Sequence, residues 1–357
     1  NIPKENILYI NFEDERLAFI QPEDLDKIYE YFLEFSDAKG KLYLFLDEIQ
    51  NVPLWEKWLS RSYEKIKFVI SGSNSTLLSS ELATAITGRY IEISLYPFSF
   101  REYLSYKDGK LIHSRFTAES SAKISHYLKE YMDLGGFPEV LLYDKKDILQ
   151  EYYKTILLRD VISRYNIKYK DYIEKLSLYL ISNIGKPVSL YSLDKETPIG
   201  INTIKNYLNF IEKCFLLFFI YKFDYSIKKQ HANPRKVYGI DIGLARAVSF
   251  NFTEDRWRIL ENIVFLELKR RNLDIYYHKL DFECDFLIKE GLKITKAIQV
   301  CYELNKDNEK REISGLTEAM GKYKLKQGLI ITYNQKKEFK VDKMKIIVRP
   351  ITDWLIS

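Results

Sequence analysis

Two adjacent carboxylates, Asp47 and Glu48, are the residues whose type and position most clearly suggest chemistry. They follow Leu42–Leu46, an apolar run that predicts a strand buried on both faces, as in a parallel sheet. In phosphoryl-transfer proteins an acid at such a strand end holds Mg²⁺, and a neighbouring acid can orient the attacking water. We therefore expect Asp47 to hold Mg²⁺ through water and Glu48 to polarise the attacking water. The alternative is a solvated strand end.

Polar residues also follow the next predicted strand. Ser71, Ser73 and Asn74 come directly after the apolar stretch that ends at Ile70, where they would contact a γ-phosphate. Arg89 precedes a further predicted strand and would neutralise charge in the transition state. A surface ion pair is the alternative for Arg89. The ordered set predicts ATP hydrolysis.

The loop that grips the phosphates is missing from these residues. The pattern G-x-x-x-x-G-K-[ST] occurs nowhere in the 357 residues, and the one Gly-Lys pair, Gly185-Lys186, is followed by Pro187. In P-loop NTPases this loop follows the first strand, before the strand that carries the Asp. We therefore expect it upstream of Asn1, so that ATP and Mg²⁺ are cofactors of the intact protein.

Alternating strand-like and helix-like segments position these side chains. Over the first ~100 residues the alternation predicts an α/β fold with a parallel sheet, here a truncated P-loop NTPase sheet. The expected elements are strands at Asn6–Phe12, Lys41–Leu46, Lys67–Ile70 and Tyr90–Leu95, and helices at Pro22–Ser36, Trp55–Ile66 and Leu77–Ile86. The four expected domains are an ATPase core at 1–105, a helical lid at 106–170, a winged helix at 171–245 and a second α/β unit at 246–357.

The winged-helix prediction rests on the order helix, helix, strand, basic turn and strand within residues 171–245. It suggests DNA contact by the second helix and by the basic turn that would form the wing, through Thr203, Lys205, Asn206, Asn209, Lys228, Lys229, Arg235 and Lys236. Such lysines neutralise phosphates and give affinity without sequence choice. A protein partner or self-association is the alternative use of the same surface.

The last predicted unit resembles the restriction-endonuclease-like fold. Those nucleases use an acid at one strand end and an acid-x-Lys on the next strand to hold a divalent metal. Asp285 supplies the first acid, Glu261 is a further ligand on the preceding helix, and Gln299 offers a neutral oxygen. Cys301 stands where the lysine is needed. We therefore expect an inactive domain kept for binding, with a metal-dependent nuclease as the alternative.

Several motifs together resemble the prokaryotic AAA-type ATPases that carry a C-terminal domain of uncharacterised function and are numerous in archaea. The resemblance spans nearly the whole chain and implies ATP binding and hydrolysis coupled to partner contacts. Its landmarks are Leu46-Asp47-Glu48-Ile49-Gln50, Ser71-Gly72-Ser73, Gly88-Arg89, Leu95–Tyr103, Gly135-Gly136-Phe137-Pro138, Arg159-Asp160-Val161 and Leu260-Glu261-Asn262.

The composition of the chain limits the classes of protein and the locations that these predictions allow. A hydrophobic content of 46% and a charged content of 29% are ordinary for a globular protein. The longest apolar stretch, Cys214–Tyr221, is far shorter than the ~20 residues of a membrane span, so we expect no membrane partner. Three cysteines without a metal spacing favour a reducing, cytoplasmic location. The net charge of +5 permits nucleic-acid contact without requiring it.

Overall fold

The computed structural model describes residues 2–62, 66–72, 90–113, 117–143, 146–249 and 255–357. The chain divides into two compact units, Asn1–Leu95 and Tyr96–Ser357, which we call the N-terminal and C-terminal units.

The N-terminal unit contains a three-stranded parallel sheet in the order β1-β2-β3. The central strand alternates buried leucines with half-buried aromatic residues, and Trp55 and Trp58 of the second helix complete the core. The elements are β1 Ile7–Asn11, α1 Pro22–Phe35, β2 Leu42–Asp47, α2 Trp55–Ser62 and β3 Ile66–Ile70. The predicted parallel α/β sheet is therefore confirmed for these three strands.

The predicted fourth strand, Tyr90–Leu95, is wrong. These residues form no strand, and Ile91, Ile93 and Leu95 are each more than four-fifths exposed. Their alternating pattern is that of a strand, but a strand needs a neighbour for its backbone hydrogen bonds. Among the described residues of this unit, no strand lies beyond β3, which forms the edge of the sheet. The predicted helix Leu77–Ile86 lies outside the described residues.

The C-terminal unit begins with helices, as the sequence predicted for this stretch. A turn at Gly135 and Gly136 separates two of them. They are α3 Phe100–Asp108, α4 Lys110–His113, α5 Ala118–Leu134, α6 Pro138–Tyr143 and α7 Ile148–Thr155, followed by a π-helix at Ile156–Ser163.

The middle of this unit combines helices with three antiparallel strands. Strand β6 lies between β5 and β4 and is antiparallel to both. The elements are α8 Lys170–Ser182, β4 Pro187–Val188, α9 Leu190–Glu196, α10 Ile201–Lys213, β5 Leu217–Lys222, α11 Ile227–Ala232, β6 Arg235–Gly239 and α12 Ile242–Val248. The predicted basic turn over residues 228–236 is wrong in form, because most of it is α11 and its last two residues begin β6.

The end of the chain extends the same sheet. Strand β5 pairs in parallel with β7, with Tyr221 opposite Tyr276, so the sheet continues across the boundary expected at residue 245. The order of its strands is β11-β12-β10-β9-β8-β7-β5-β6-β4. The remaining elements are α13 Arg256–Arg270, β7 Asp274–Lys279, β8 Glu283–Glu290, β9 Lys293–Val300, α14 Glu309–Tyr323, β10 Gln327–Thr332, β11 Lys337–Val341, β12 Met344–Pro350 and α15 Ile351–Ile356.

Within the described ranges, every helix is too short or too polar to cross a bilayer.

Candidate functional site

The carboxyl ends of the three parallel strands of the N-terminal unit form the first candidate site. Asn11 ends β1 opposite Asp47, which ends β2, and Ser71 directly follows β3. The Ser71 hydroxyl donates a hydrogen bond to Asp47 Oδ1. The Tyr9 hydroxyl donates to Asp47 Oδ2 at 3.0 Å, and this hydrogen bond raises the pKa of Tyr9. Both oxygens of Asp47 therefore act as acceptors, so its carboxylate is held in one orientation.

Glu48 lies next to Asp47 in an unusual backbone conformation. Its φ of 51° falls in the left-handed region, which residues other than glycine rarely adopt and which recurs at functional sites. The side-chain amide of Gln50 donates to Glu48 Oε2. This kink turns the chain sharply at the end of β2, where a straight strand would have continued.

The donor atoms of this site suit Mg²⁺. Carboxylate and hydroxyl oxygens are the ligands that Mg²⁺ accepts, usually together with several waters and substrate phosphates. The described residues contain no group of three His, Cys, Asp or Glu side chains arranged to hold a metal. Water and nucleotide would therefore complete the coordination around Asp47. The other predicted residues of the site, Ser73, Asn74 and Arg89, lie outside the described residues.

A buried lysine forms the centre of a second site, in the C-terminal unit. The Nζ atom of Lys236 lies 2.8 Å from Asp285 Oδ1, 3.0 Å from Glu261 Oε1 and 2.7 Å from Glu283 Oε1. We call these four residues the lysine–carboxylate cluster. Lys236 is 1% exposed. The prediction that it contacts DNA from a surface wing is wrong, because a buried ammonium bound by three carboxylates cannot reach a phosphate.

Neighbouring groups fix the carboxylates of the cluster. The Tyr238 hydroxyl donates to Glu261 Oε1 at 2.7 Å, and the backbone N–H of Val300 donates to Asp285 Oδ2 at 2.9 Å. Lys236 and Tyr238 are two residues apart on β6, so they lie on the same face of the strand. This period of two along β6 was the sequence signal that Lys236 faces inward together with Tyr238, and the prediction of a basic turn overlooked it.

Burial and mutual repulsion change the protonation of the cluster. Burial and the charge of Asp285 raise the pKa of Glu261 to about 8. Burial also raises the pKa of Asp285, although Lys236 opposes that effect. For Lys236 itself burial disfavours the charge, but the carboxylates of Asp285 and Glu261 hold its pKa well above the usual value. The ammonium is therefore the fixed charge of the cluster, and Glu261 carries a proton for most of the time at neutral pH.

The divalent metal of a nuclease does not fit this cluster. The structure brings the predicted residues Glu261, Asp285 and Gln299 into one buried region, but Gln299 Nε2 donates to Glu312 Oε2 at 2.6 Å rather than joining the carboxylates. Cys301 is buried in the apolar core, where burial raises the pKa of its thiol to about 12. The place between the carboxylates is taken by the ammonium of Lys236.

The other residues predicted to contact DNA fall on two helices and one strand. Lys205, Asn206 and Asn209 are exposed on α10, and Thr203 is half-buried on the same helix. Lys228 and Lys229 are exposed on α11. Arg235, at the start of β6, is half-buried with its guanidinium 4.6 Å from the centre of the Tyr221 ring.

The glycine landmark at Gly135 has a clear packing role. Asp241 is buried, and its carboxylate accepts hydrogen bonds from the N–H groups of Gly136 at 2.6 Å and Leu244 at 2.9 Å. Gly135 has a φ of 78°, and a Cβ there would overlap the Asp241 carboxylate. The two glycines therefore let the turn between α5 and α6 close on the start of α12.

Comparisons with known proteins agree with the geometry of the N-terminal unit. Residues 1–104 match the family model of an AAA domain, and residues 125–255 match a domain of unknown function, DUF8612. A parallel sheet with an acid at the carboxyl end of its central strand is the arrangement of an AAA-like, P-loop NTPase-type protein.

Full-length relatives extend this similarity over the whole chain. An uncharacterized protein of Methanocaldococcus jannaschii is 36% identical over 98% of this chain and 82% of its own length. An uncharacterized protein of Haemophilus influenzae is 30% identical over 100% of this chain and 88% of its own length. A second uncharacterized M. jannaschii protein is 24% identical over 92% of this chain and 75% of its own length. The chain belongs to this AAA-like family of uncharacterized archaeal and bacterial proteins.

Proposed function

We propose that the protein is an ATP-hydrolysing AAA-type switch, and that the edge of the sheet at Asp47 and Ser71 is its hydrolytic site. The observation that carries this proposal is the contact of the Ser71 hydroxyl with the Asp47 carboxylate at the carboxyl ends of adjacent parallel strands. In open parallel sheets, ligands bind at this edge.

Each residue has a distinct role in this proposal. Asp47, held by Tyr9 and Ser71, binds a water of the Mg²⁺ shell. A bound Mg²⁺ would supply positive charge to offset the charge of the phosphates. Glu48 accepts a hydrogen bond from the attacking water and orients it toward the γ-phosphate. Ser71, with Ser73 and Asn74, contacts the γ-phosphate, and Arg89 stabilises the charge of the transition state.

The free edge of β3 supports the expectation that a further strand carries the phosphate loop. Val69 on β3 is partly exposed, and Ile91, Ile93 and Leu95 expose an alternating apolar pattern without a partner strand among the described residues. A strand inserted beside β3 would pair with its open edge. The loop that such a strand carries would lie beside Ser71.

The experiment compares Glu48→Gln with wild type in the full product of the gene. We expect the rate of ATP hydrolysis to fall by a factor of about 10² or more, because a positioned base contributes about that much, while ATP binding is kept. Glu34→Gln, which removes an exposed carboxylate from α1, is the matched control and should hydrolyse ATP at the wild-type rate. Equal rates for Glu48→Gln and wild type would refute the role of Glu48.

The same protein tests the rival function, a binding module that never uses nucleotide. The proposed switch gains thermal stability when ATP and Mg²⁺ are added, because a ligand that binds the folded state stabilises it. A binding module shows no change in melting temperature with nucleotide.

We also propose that residues 171–245 form a winged helix that contacts DNA and that the switch controls. The antiparallel pairing of β4, β6 and β5 beside the two helices α9 and α10 favours this fold. The exposed polar face of α10 and the exposed lysines of α11 supply the positive charge that a phosphate backbone attracts. Lys236 is not part of this surface.

A salt titration of DNA binding tests this surface. In the double variant Lys228→Gln/Lys229→Gln we expect weaker binding and a slope of log K against log salt that is less steep by about two. Lys340→Gln/Lys343→Gln removes two exposed lysines near the opposite end of the nine-stranded sheet and should leave the slope unchanged. If wild type does not bind DNA, a protein partner is the better interpretation of this surface. If ATP does not alter the affinity for DNA, the proposal that nucleotide controls DNA binding is refuted.

A further inference from the structure

We propose that the ammonium of Lys236 is the permanent cation of the lysine–carboxylate cluster, and that it holds the position a divalent metal would take between Glu261, Glu283 and Asp285. This inference does not depend on ATP hydrolysis in the N-terminal unit. It assigns the cluster as a structural site that holds no metal.

The number of hydrogen bonds supports the assignment. A lysine ammonium has three N–H donors and no acceptor. Three carboxylate oxygens, one from each acid of the cluster, lie within 3.0 Å of its nitrogen. Each donor therefore has a carboxyl oxygen as its acceptor, and one ammonium contacts all three acids.

The position of Lys236 in the sheet keeps the ammonium there. Its Cα lies opposite Ile220 of β5 and Pro187 of β4, so the backbone is held by a strand on each side. The side chain is buried along its length, and its nitrogen lies 6.0 Å from the centre of the Tyr277 ring. The ammonium cannot leave the cluster unless this part of the sheet opens.

The charge balance also disfavours a second cation. One ammonium already lies among the carboxyl groups of Glu261, Glu283 and Asp285, at 2.7 to 3.0 Å from an oxygen of each. A divalent ion placed among the same oxygens would lie within a few ångströms of the ammonium, and like charges at that distance repel strongly in a buried site. Removal of the lysine would reverse the balance, because three acids would then face an unfilled position.

The proposal is tested by Mn²⁺ titration of the full chain, with free Mn²⁺ measured by electron paramagnetic resonance. We expect Lys236→Ala to bind one Mn²⁺ equivalent more than wild type, and Lys236→Ala/Asp285→Asn to lose that equivalent. Lys279→Ala is the matched control, because Lys279 is exposed and lies 3.8 Å from the same Glu283 without entering the cluster. It should bind the wild-type amount of Mn²⁺.

Three results would overturn the proposal. The first is equal Mn²⁺ binding by wild type and Lys236→Ala. The second is the loss of a wild-type Mn²⁺ equivalent in Asp285→Asn, which would show that metal and lysine coexist. The third is cleavage of supercoiled DNA by wild type with Mn²⁺ that disappears in Asp285→Asn. If Lys236→Ala does not fold alone, we expect millimolar Mn²⁺ to restore its folding, and a failure of that rescue counts against the proposal.

Discussion

Glu261→Gln should change how the stability of the C-terminal unit depends on pH. The pKa of Glu261 is about 8 in the folded protein and 4.5 as the ordinary value. A carboxyl whose pKa is raised by folding contributes stability that is full below its unfolded pKa and is lost as the pH rises through the folded pKa. Wild type should therefore lose stability between about pH 5 and pH 8 through this group, and the glutamine variant should not.

The two pKa values set the expected size. For a single group with those values, the free energy of unfolding falls by about 2 to 3 kcal/mol between pH 5.5 and pH 7.5, because it changes by about 1.36 kcal/mol for each pH unit between the two pKa values. Asp241, whose pKa burial raises to about 6, titrates in the same direction, but it is present in both proteins and cancels in the difference. Over this pH range, the free energy of unfolding of Glu261→Gln relative to that of wild type should therefore rise by about that amount.

Urea unfolding at a series of pH values measures this difference. Hydrogen exchange of the peptide that covers α13, followed by mass spectrometry, reports on the C-terminal unit separately. Glu290→Gln, which removes an exposed carboxylate at the end of β8, gives the effect of losing one surface charge. A difference between wild type and Glu261→Gln that stays constant from pH 5.5 to pH 7.5 would refute the reasoning.

Three further predictions concern packing and reactivity. Gly135→Ala should lower the free energy of unfolding by about 3 kcal/mol or more, because the left-handed backbone disfavours a side chain and the new Cβ would overlap a buried carboxylate. Gly200→Ala, which has a similar φ but open space around it, should lower it by only about 1 to 2 kcal/mol. Denaturation curves compare the two variants, and equal losses would contradict the overlap. Asn262→Ala should lower the free energy of unfolding by about 2 to 3 kcal/mol in the same assay, because the buried amide makes two hydrogen bonds to the backbone of Gly239. A loss below about 1 kcal/mol would contradict the contribution of these two hydrogen bonds. The thiols should not react with a disulfide reagent at pH 8 until the protein unfolds, because burial raises the pKa of all three; fast labelling of the folded protein would contradict this for Cys214, Cys284 or Cys301.

The strands of the N-terminal sheet could be predicted because their sequences carry the information. An apolar run such as Leu42–Leu46 is stable only when it is buried inside a parallel sheet, and the end of that strand then determines where Asp47 lies. The stretch Tyr90–Leu95 has an equally good strand pattern, but pairing depends on a neighbour that the local sequence does not specify. That physical difference explains why one prediction is confirmed and the other is wrong.

The second site could be predicted only in part. Glu261, Asp285 and Gln299 were found because they keep the order of a known arrangement along the chain, and all three are buried in one region. Lys236 was misplaced because it ends a run of basic residues, and such runs are usually solvated. Its counter-charges lie 25 and 49 residues further along the chain, so no local pattern reveals them.

The parallel pairing of β5 with β7 has a consequence for the order in which the protein can fold. The ribosome makes β5 and Lys236 before β7 and before the acids of the cluster, so the emerging chain first has an unfinished sheet edge and a lysine without counter-charge. The edge of β5 can be paired only after β7 has left the exit tunnel, and Lys236 can meet all three acids only after β8 has left it. We therefore expect a chain that stops at residue 245 to be insoluble or to require a chaperone, and the release of the last 110 or so residues to be the step that completes the fold.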